Sequence, residues 1–279
     1  MSGMGWTETK NVSAAWDGHP LAPGLSPPWS ASGPGELPDD EGAVETMRWR
    51  AGALLAWPAH RARLTRTLLT FDQPVPSWGD LGALAAALVC RPEQEHRLRL
   101  TVPFSKGGDS HWAMEAWTLP PPLVLRRRGI HAVSRPPPAL QRASAAHHKL
   151  ISRLRALAAA ATPDLPAEPL FFDADGRALE GATWNLFAVV DEVLTTPPDT
   201  APLLAGVMRS AVLNAARRLG LRCAERDLHQ NDVVAATEVF VTNALLPLAP
   251  LCSLDGVKLA PIGPRFRTLL EVIDATATP

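Results

Sequence analysis

At 279 residues, 46% of them hydrophobic and 20% charged, the chain has the apolar material for one large or two modest globular cores, not for a disordered polymer. The formal net charge of −1 offers no global field to nucleic acid or an anionic membrane, and the basic run Arg126-Arg127-Arg128 reads as a solvated loop. No apolar run approaches the roughly 20 residues of a membrane span. Met1 to Glu8 lack the apolar core of a signal peptide. Cys90, Cys223 and Cys252 show neither a disulfide ladder nor a metal spacing, so reduced thiols and a cytoplasmic location are expected.

Taken in order, the first 40 or so residues are rich in Pro, Gly and Ser, which favours irregular chain over helix, with a short hairpin expected at Ala15 to His19. Gly42 to Trp49 is a strand candidate. A helix is expected from His60 to about Leu69 and an Ala-rich one from Leu81 to Val89. Arg97 to Val102 alternates basic and apolar residues, the period of a half-buried strand, and Trp112 to Thr118 alternates again. Pro120-Pro121-Pro122 removes three donors and stiffens the chain, which marks a boundary. Beyond it we expect a strand at Ile130 to Ser134, a helix from Ser152, and hairpins at 170–181 and 184–196. A helix from Val207 should stop at Gly220. Strands at 238–243 and 248–254 and a last helix over 264–273 complete the pattern. Strands and helices intermix in both halves, so the fold class is α+β. The expected division is a small α+β domain over 1–119, a linker at 120–124 and a large domain over 125–279.

Five segments carry chemistry. His60-Arg61-Ala62-Arg63-Leu64 opens a helix. His148-Lys149-Leu150-Ile151-Ser152-Arg153-Leu154 follows a strand end and begins another. Glu180-Gly181-Ala182-Thr183-Trp184-Asn185-Leu186-Phe187 lies in the hairpins. Gly206-Val207-Met208-Arg209 starts a helix, and Thr242-Asn243-Ala244-Leu245 ends a strand. Taken singly, Lys149 is a solvated charge, Glu180 a hairpin acid and Arg63 an exposed helix cation. In this order they resemble the fold-type IV pyridoxal-phosphate enzymes, which include branched-chain and D-amino-acid aminotransferases and aminodeoxychorismate lyase. The resemblance covers about residues 42–252 and is stronger in the second half.

That resemblance implies a small α+β domain, a larger mixed domain with a barrel-like sheet, a homodimer, a small-molecule substrate and pyridoxal 5′-phosphate as cofactor. Such a cofactor needs an amine, a partner for its ring nitrogen, an anion hole for its phosphate and groups that hold the substrate. The resemblance assigns the amine to Lys149, which is also the catalytic base, and the ring-nitrogen contact to Glu180. Arg63, Val207 and Met208 fall on the phosphate, and Asn243 and Ala244 also line the cofactor. A helix N-terminus with unpaired amides suits the phosphate. Asn185 is either an orienting group or a buried strand amide. His147 and His148 are given no catalytic role.

Met208 and Asn243-Ala244-Leu245 resemble aminodeoxychorismate lyase, which splits 4-amino-4-deoxychorismate into 4-aminobenzoate and pyruvate for folate synthesis. Aminotransferases of the group carry hydroxyl residues there. An aminotransferase acting on a D- or branched-chain amino acid is the alternative, and a non-catalytic binding module the further one. The sequence departs from the family at the N-terminus, where only Glu41-Gly42-Ala43-Val44-Glu45-Thr46 survives, and in having no tyrosine. The family's Ser-Arg-Gly loop reads Ser105-Lys106-Gly107. Lys106 is therefore the expected substrate-carboxylate contact, as a point charge and not a bidentate fork. There is no His-Glu-x-x-His and no paired-Cys motif, so no metal is expected.

Overall fold

The structure is a computed structural model that describes residues 13–22, 27, 41–89, 91, 93–105, 107–119, 129–139, 144–160 and 167–276. Lys106, Cys90, the Pro120–Pro122 boundary and the Arg126–Arg128 run lie outside the described residues. The chain forms two units. One takes residues 6–121 together with His148–Leu154; the other takes Pro122–His147 and Arg155–Thr276.

The first unit is an antiparallel six-stranded sheet in the order β2-β1-β6-β5-β3-β4. Its strands are β1 (Ser13–Trp16), β2 (His19–Pro20), β3 (Gly42–Arg50), β4 (Ala53–Leu54), β5 (His96–Pro103) and β6 (Ala113–Thr118). The expected hairpin at Ala15 to His19 is β1–β2, turned by Asp17 and Gly18 at positive φ. Helix α1 runs Trp57–Thr70, three residues earlier than the apolar period alone suggests. Pro58 sits in its first turn, where a missing N–H costs nothing. Helix α2 (Leu81–Leu88) is capped by Asp80, whose carboxylate accepts from the Ala83 N–H at 2.9 Å. Met47, Trp49, Leu98, Leu100 and Val102 on one sheet face join Leu64, Leu68 and Leu84 of the helices in one apolar core.

The alternation of β5 predicts a strand wet on one face. The strand is instead buried on both: Arg99 and Thr101 are as enclosed as Leu98 and Leu100. The charge is accommodated by pairing. Arg99 donates to Glu115 on β6 at 3.1 and 2.5 Å, and the guanidiniums of Arg97 and Arg99 lie 4.6 and 5.0 Å from the Trp117 ring centre.

The second unit is a mixed sheet of β7 (Ile130–Arg135), β8 (Glu168–Phe172), β9 (Ala178–Gly181), β10 (Asn185–Val190), β11 (Val193–Thr196), β12 (Cys223–Glu225), β13 (Glu238–Thr242), β14 (Ala249–Leu254) and β15 (Val257–Lys258). The order is β12-β11-β10-β13-β14-β7-β8-β9, with β15 on β14. A further pairing of β9 with β10 closes β10, β13, β14, β7, β8 and β9 into a ring, the barrel-like sheet that the resemblance implies. The closure is one residue pair wide, Asn185 opposite Glu180. The tight β10–β11 turn places Asp191 and Glu192 at positive φ, a geometry matched to strand twist. Leu186, Ala188, Val239 and Val241 face one apolar cluster, and Phe187, Val189 and Phe240 face another. The second cluster packs on α4 (Val207–Arg218) and α6 (Pro264–Thr276). Helix α3 (Ile151–Ala160) follows Lys149, and α5 (Gln230–Ala235) is a short capped turn. Among the described residues no helix is long and apolar enough to cross a membrane, and no group of His, Cys, Asp or Glu could hold a metal ion.

Candidate active site

Residues 148–150 add an edge to the sheet of the first unit. The Val44 N–H donates to the Lys149 carbonyl at 2.9 Å, and Ala43 and Leu150 form an antiparallel bridge, which sets Lys149 opposite Val44. Gly42 makes this approach possible: a Cβ there would meet the Val102 carbonyl at 2.6 Å and Ile151 at 2.8 Å. Glu41 caps α3. One carboxylate oxygen accepts from the Gly42 and Ser152 N–H groups at 3.0 Å, and the other accepts from the Ser152 hydroxyl. His148 is buried, with Nδ1 3.0 Å from the Thr67 hydroxyl and its ring edge-on to Phe71. It is a structural anchor of the lysine segment.

Beside Lys149 lies a buried charge network that the sequence did not announce. Glu45, on β3, is 1% exposed. Its oxygens accept from Arg63 Nε at 2.8 Å and Nη2 at 2.6 Å, and His60 Nδ1 lies 2.8 Å away. His60 and Arg63 are three residues apart on α1 and so share a face. Burial works to raise the Glu45 carboxyl, but Arg63 and His60 overcome it and hold it well below the usual carboxylate range. Burial drives His60 down, so its ring stays neutral despite Glu45. The fork of Arg63, expected on a phosphate, is thus oriented by Glu45.

The Lys149 amine is pushed down to about 7, first by burial and then by the charges of Arg63, Arg97 and Arg153, while Glu45 pulls it up. An amine held there exchanges its proton near neutral pH, which is what a nucleophile or base needs. The residue as a whole retains some exposed area.

The second unit collects the other expected residues around the ring closure. Glu180 is buried, and its oxygens accept from the Leu204 N–H at 3.0 Å and from Asn185 Nδ2 at 3.3 Å. Asn185 Nδ2 also donates to the Leu204 carbonyl at 3.1 Å, and His147 Nδ1 lies 3.1 Å from the Leu203 carbonyl. Asn185 is a buried strand amide that also bonds to Glu180, so the two readings of it coincide. Gly206 caps α4 with extended backbone and no side-chain cap, and no acid lies in the first turn. The leading amides of Val207 and Met208 therefore have no intrahelical acceptor. A Cβ on Gly206 would meet Asn185 Oδ1 at 2.0 Å, so the helix start is pressed against the residue that holds Glu180. Arg209 points elsewhere and bonds to the Pro197 carbonyl and Glu225, each at 2.8 Å.

Asn243 shapes a turn. Its side-chain carbonyl accepts from the Leu245 and Leu246 N–H groups at 2.9 and 2.7 Å. Thr242, opposite Asn185 on β10, donates its hydroxyl to the Pro247 carbonyl. Asn243 and Ala244 thus follow Thr242, which pairs with Asn185, while Glu180 pairs with Asn185 on the other side. A concavity on α1, lined by Trp57, Arg61, Arg66 and Leu69, includes none of these site residues.

The sequence profile of the family described as amino-transferase class IV matches residues 42–254. The branched-chain-amino-acid aminotransferase of Escherichia coli (strain K12) is 37% identical over 92 residues, which cover 33% of this chain and 30% of that protein. The match thus spans under a third of such relatives. The bifunctional aminodeoxychorismate lyase / D-amino acid transaminase of Mycobacterium tuberculosis is 26% identical over 259 residues, 84% of this chain and 89% of that protein. Among solved structures, the Escherichia coli branched-chain amino acid aminotransferase superposes with a TM-score of 0.79 at 19% identity, covering 95% of this chain and 94% of that one. The 4-amino-4-deoxychorismate lyase of Pseudomonas aeruginosa gives 0.67 at 24% identity, covering 94% and 98%. These likenesses establish the fold.

Proposed function

The chain belongs to the class IV amino-transferase family, and on that premise we propose that it is an aminodeoxychorismate lyase, converting 4-amino-4-deoxychorismate to 4-aminobenzoate and pyruvate. Pyridoxal 5′-phosphate is the cofactor. The observation that carries the assignment of the amine is Lys149, buried by its surroundings and held at about 7.

When bound, the cofactor supplies an electron sink conjugated to the substrate nitrogen. The residues present fit it. Lys149 would anchor it covalently, then take the proton from the ring carbon that bears the amine and help proton transfer to the pyruvate that leaves. Glu180, which accepts from the Leu204 N–H and the Asn185 side-chain amide, is the acid that would keep a ring nitrogen protonated. The open first turn at Val207 and Met208 would suit the phosphate, and Arg63, whose guanidinium Glu45 orients, would be the cation for it. Asn243 and Ala244 form the adjoining turn. Lys106 takes a substrate carboxylate.

The lyase reading over the transaminase rests on Met208 and on Asn243-Ala244-Leu245, where the side chains bring no hydroxyl. The relative that aligns over most of this chain is itself a lyase and a D-amino acid transaminase. A class IV aminotransferase acting on a D- or branched-chain amino acid is therefore the second reading. Family likeness also supports a homodimer, and the composition supports a cytoplasmic enzyme.

Two measurements test this. Purified protein with cofactor should be yellow, and borohydride should bleach it and leave the reduced adduct on a peptide containing Lys149; an adduct elsewhere would sink the assignment. Supplied with 4-amino-4-deoxychorismate, the enzyme should release fluorescent 4-aminobenzoate and an equal amount of pyruvate. Rapid glutamate formation from D-alanine or leucine with 2-oxoglutarate, and no 4-aminobenzoate, would replace the lyase by the transaminase.

A further inference from the structure

Five threonines of the described residues are buried: Thr67, Thr101, Thr195, Thr196 and Thr242. Four have hydroxyl partners, namely His148, the Val193 carbonyl, the Leu186 carbonyl and the Pro247 carbonyl. Thr101, 1% exposed, has no hydrogen-bond partner for Oγ1 among the described residues. Leaving a buried hydroxyl unsatisfied is unfavourable, whereas valine has the same shape, favours strands and carries no such penalty. Fold stability therefore does not account for a hydroxyl at this position.

Register places that hydroxyl. Thr101 pairs with Val44, and Val44 pairs with Lys149 in turn. Directly paired residues project to the same face, so Thr101 and Lys149 share a face, separated by one strand. Two interstrand steps put their backbones about 10 Å apart. Arg97 and Arg99, four and two residues before Thr101 on β5, alternate onto the same face. Among the described residues, the guanidiniums of Arg63, Arg97 and Arg153 act on Lys149, as does the carboxylate of Glu45. A positive field around the amine and a hydrogen-bonding group one strand away suit a dianion that reacts at one end and is recognised at the other.

We propose that the Thr101 hydroxyl is a specificity-determining group that hydrogen-bonds the remote carboxylate of a dicarboxylate substrate whose reacting nitrogen lies at Lys149. The inference rests on the lyase reading and names the residue that selects its dianionic substrate. It also separates Thr101 from a structural threonine, because a structural hydroxyl has a partner in the protein.

The test compares wild-type holoenzyme with Thr101→Val and Thr101→Ser. With 4-amino-4-deoxychorismate, Thr101→Val should raise KM about tenfold, the equivalent of roughly 1.4 kcal/mol. It should leave kcat within about twofold, and Thr101→Ser should restore KM. Independently of turnover, glutarate should raise the melting temperature of wild type and Thr101→Ser more than butyrate does, and this difference should vanish in Thr101→Val. The unliganded Thr101→Val protein should melt no lower than wild type. If wild type forms no 4-aminobenzoate, the lyase reading fails, and the glutarate shift alone decides the role of Thr101. An unchanged KM, or a glutarate shift that survives the valine, overturns the proposal whatever the reaction.

Discussion

The two units hold their buried carboxylates by opposite means. Glu45 is paired with a guanidinium and flanked by a neutral imidazole, so cation and anion cancel inside the first unit. Glu180 accepts from the Leu204 backbone N–H and from the Asn185 side-chain amide, donors that carry no charge. A carboxylate neutralised by arginine is bound up in structure, while one solvated by neutral dipoles keeps its full negative charge and can act on a cation brought to it. The same difference appears in the arginines: Arg209 is tied to Glu225 and a carbonyl, whereas Arg97, stacked on Trp117, still acts on Lys149. The first unit thus builds the field that tunes an amine, and the second preserves an anion.

Removing the acid is the strongest way to break this contrast. Glu45→Ala removes the carboxylate that the buried Arg63 fork bonds, and breaking such a buried pair should cost about 3–5 kcal/mol of stability. It also takes away a charge that raises the Lys149 amine, so the amine should fall further. Urea denaturation reads the first effect. A loss below about 1 kcal/mol would mean that the Glu45–Arg63 pair is exposed or dispensable, and the comparison would collapse.

Glu180→Gln should behave in the opposite way. Glutamine keeps an acceptor for the Leu204 N–H, so stability should change by no more than about 1–2 kcal/mol and cofactor should remain bound. Turnover should drop on the order of a hundredfold, because about 2–3 kcal/mol of charge-assisted contact is lost. The ratio of kcat for the variant and wild type, with cofactor occupancy checked by absorbance, measures it. A variant that loses its stability and keeps its rate would make Glu180 a structural acid like Glu45.

These contrasts show how much was legible in the sequence. Lys149 and Glu180 were legible because each sits in a local motif, and local motifs survive the lack of tyrosine and the altered N-terminus. The strand and hairpin periods gave nearly every element, since alternation is a local property. What stayed hidden was non-local. Glu45 read as one residue of a surviving strand motif, and Arg63, 18 positions later, closes on it only once α1 packs on β3. The ring closure at Glu180 and Asn185 is a single pair whose existence depends on the whole strand order. The polar face of β5 read as wet because its partners, Glu115 and Trp117, lie on the next strand. Lys106 lies outside the described residues.

The smallest effect tests the field itself. In cofactor-free protein the folded Lys149 titrates near 7, against an ordinary value of 10.5. Below about 7 the amine is charged in both states, and the native state bears the full cost of burying the charge. Between the two values the unfolded chain keeps its proton and the native state does not. Stability contributed by this group therefore rises with pH across that window and levels off above it. Lys149→Met has no such titration. It should be more stable than wild type near neutral pH, and the gap should narrow steadily towards about pH 10. Part of the lysine is exposed, so solvent screening should keep the change modest. Urea midpoints for both proteins, taken at several pH values between these limits, give the slope. A gap independent of pH would place the amine in bulk solvent, and the three guanidiniums of the first unit would then have no bearing on its chemistry.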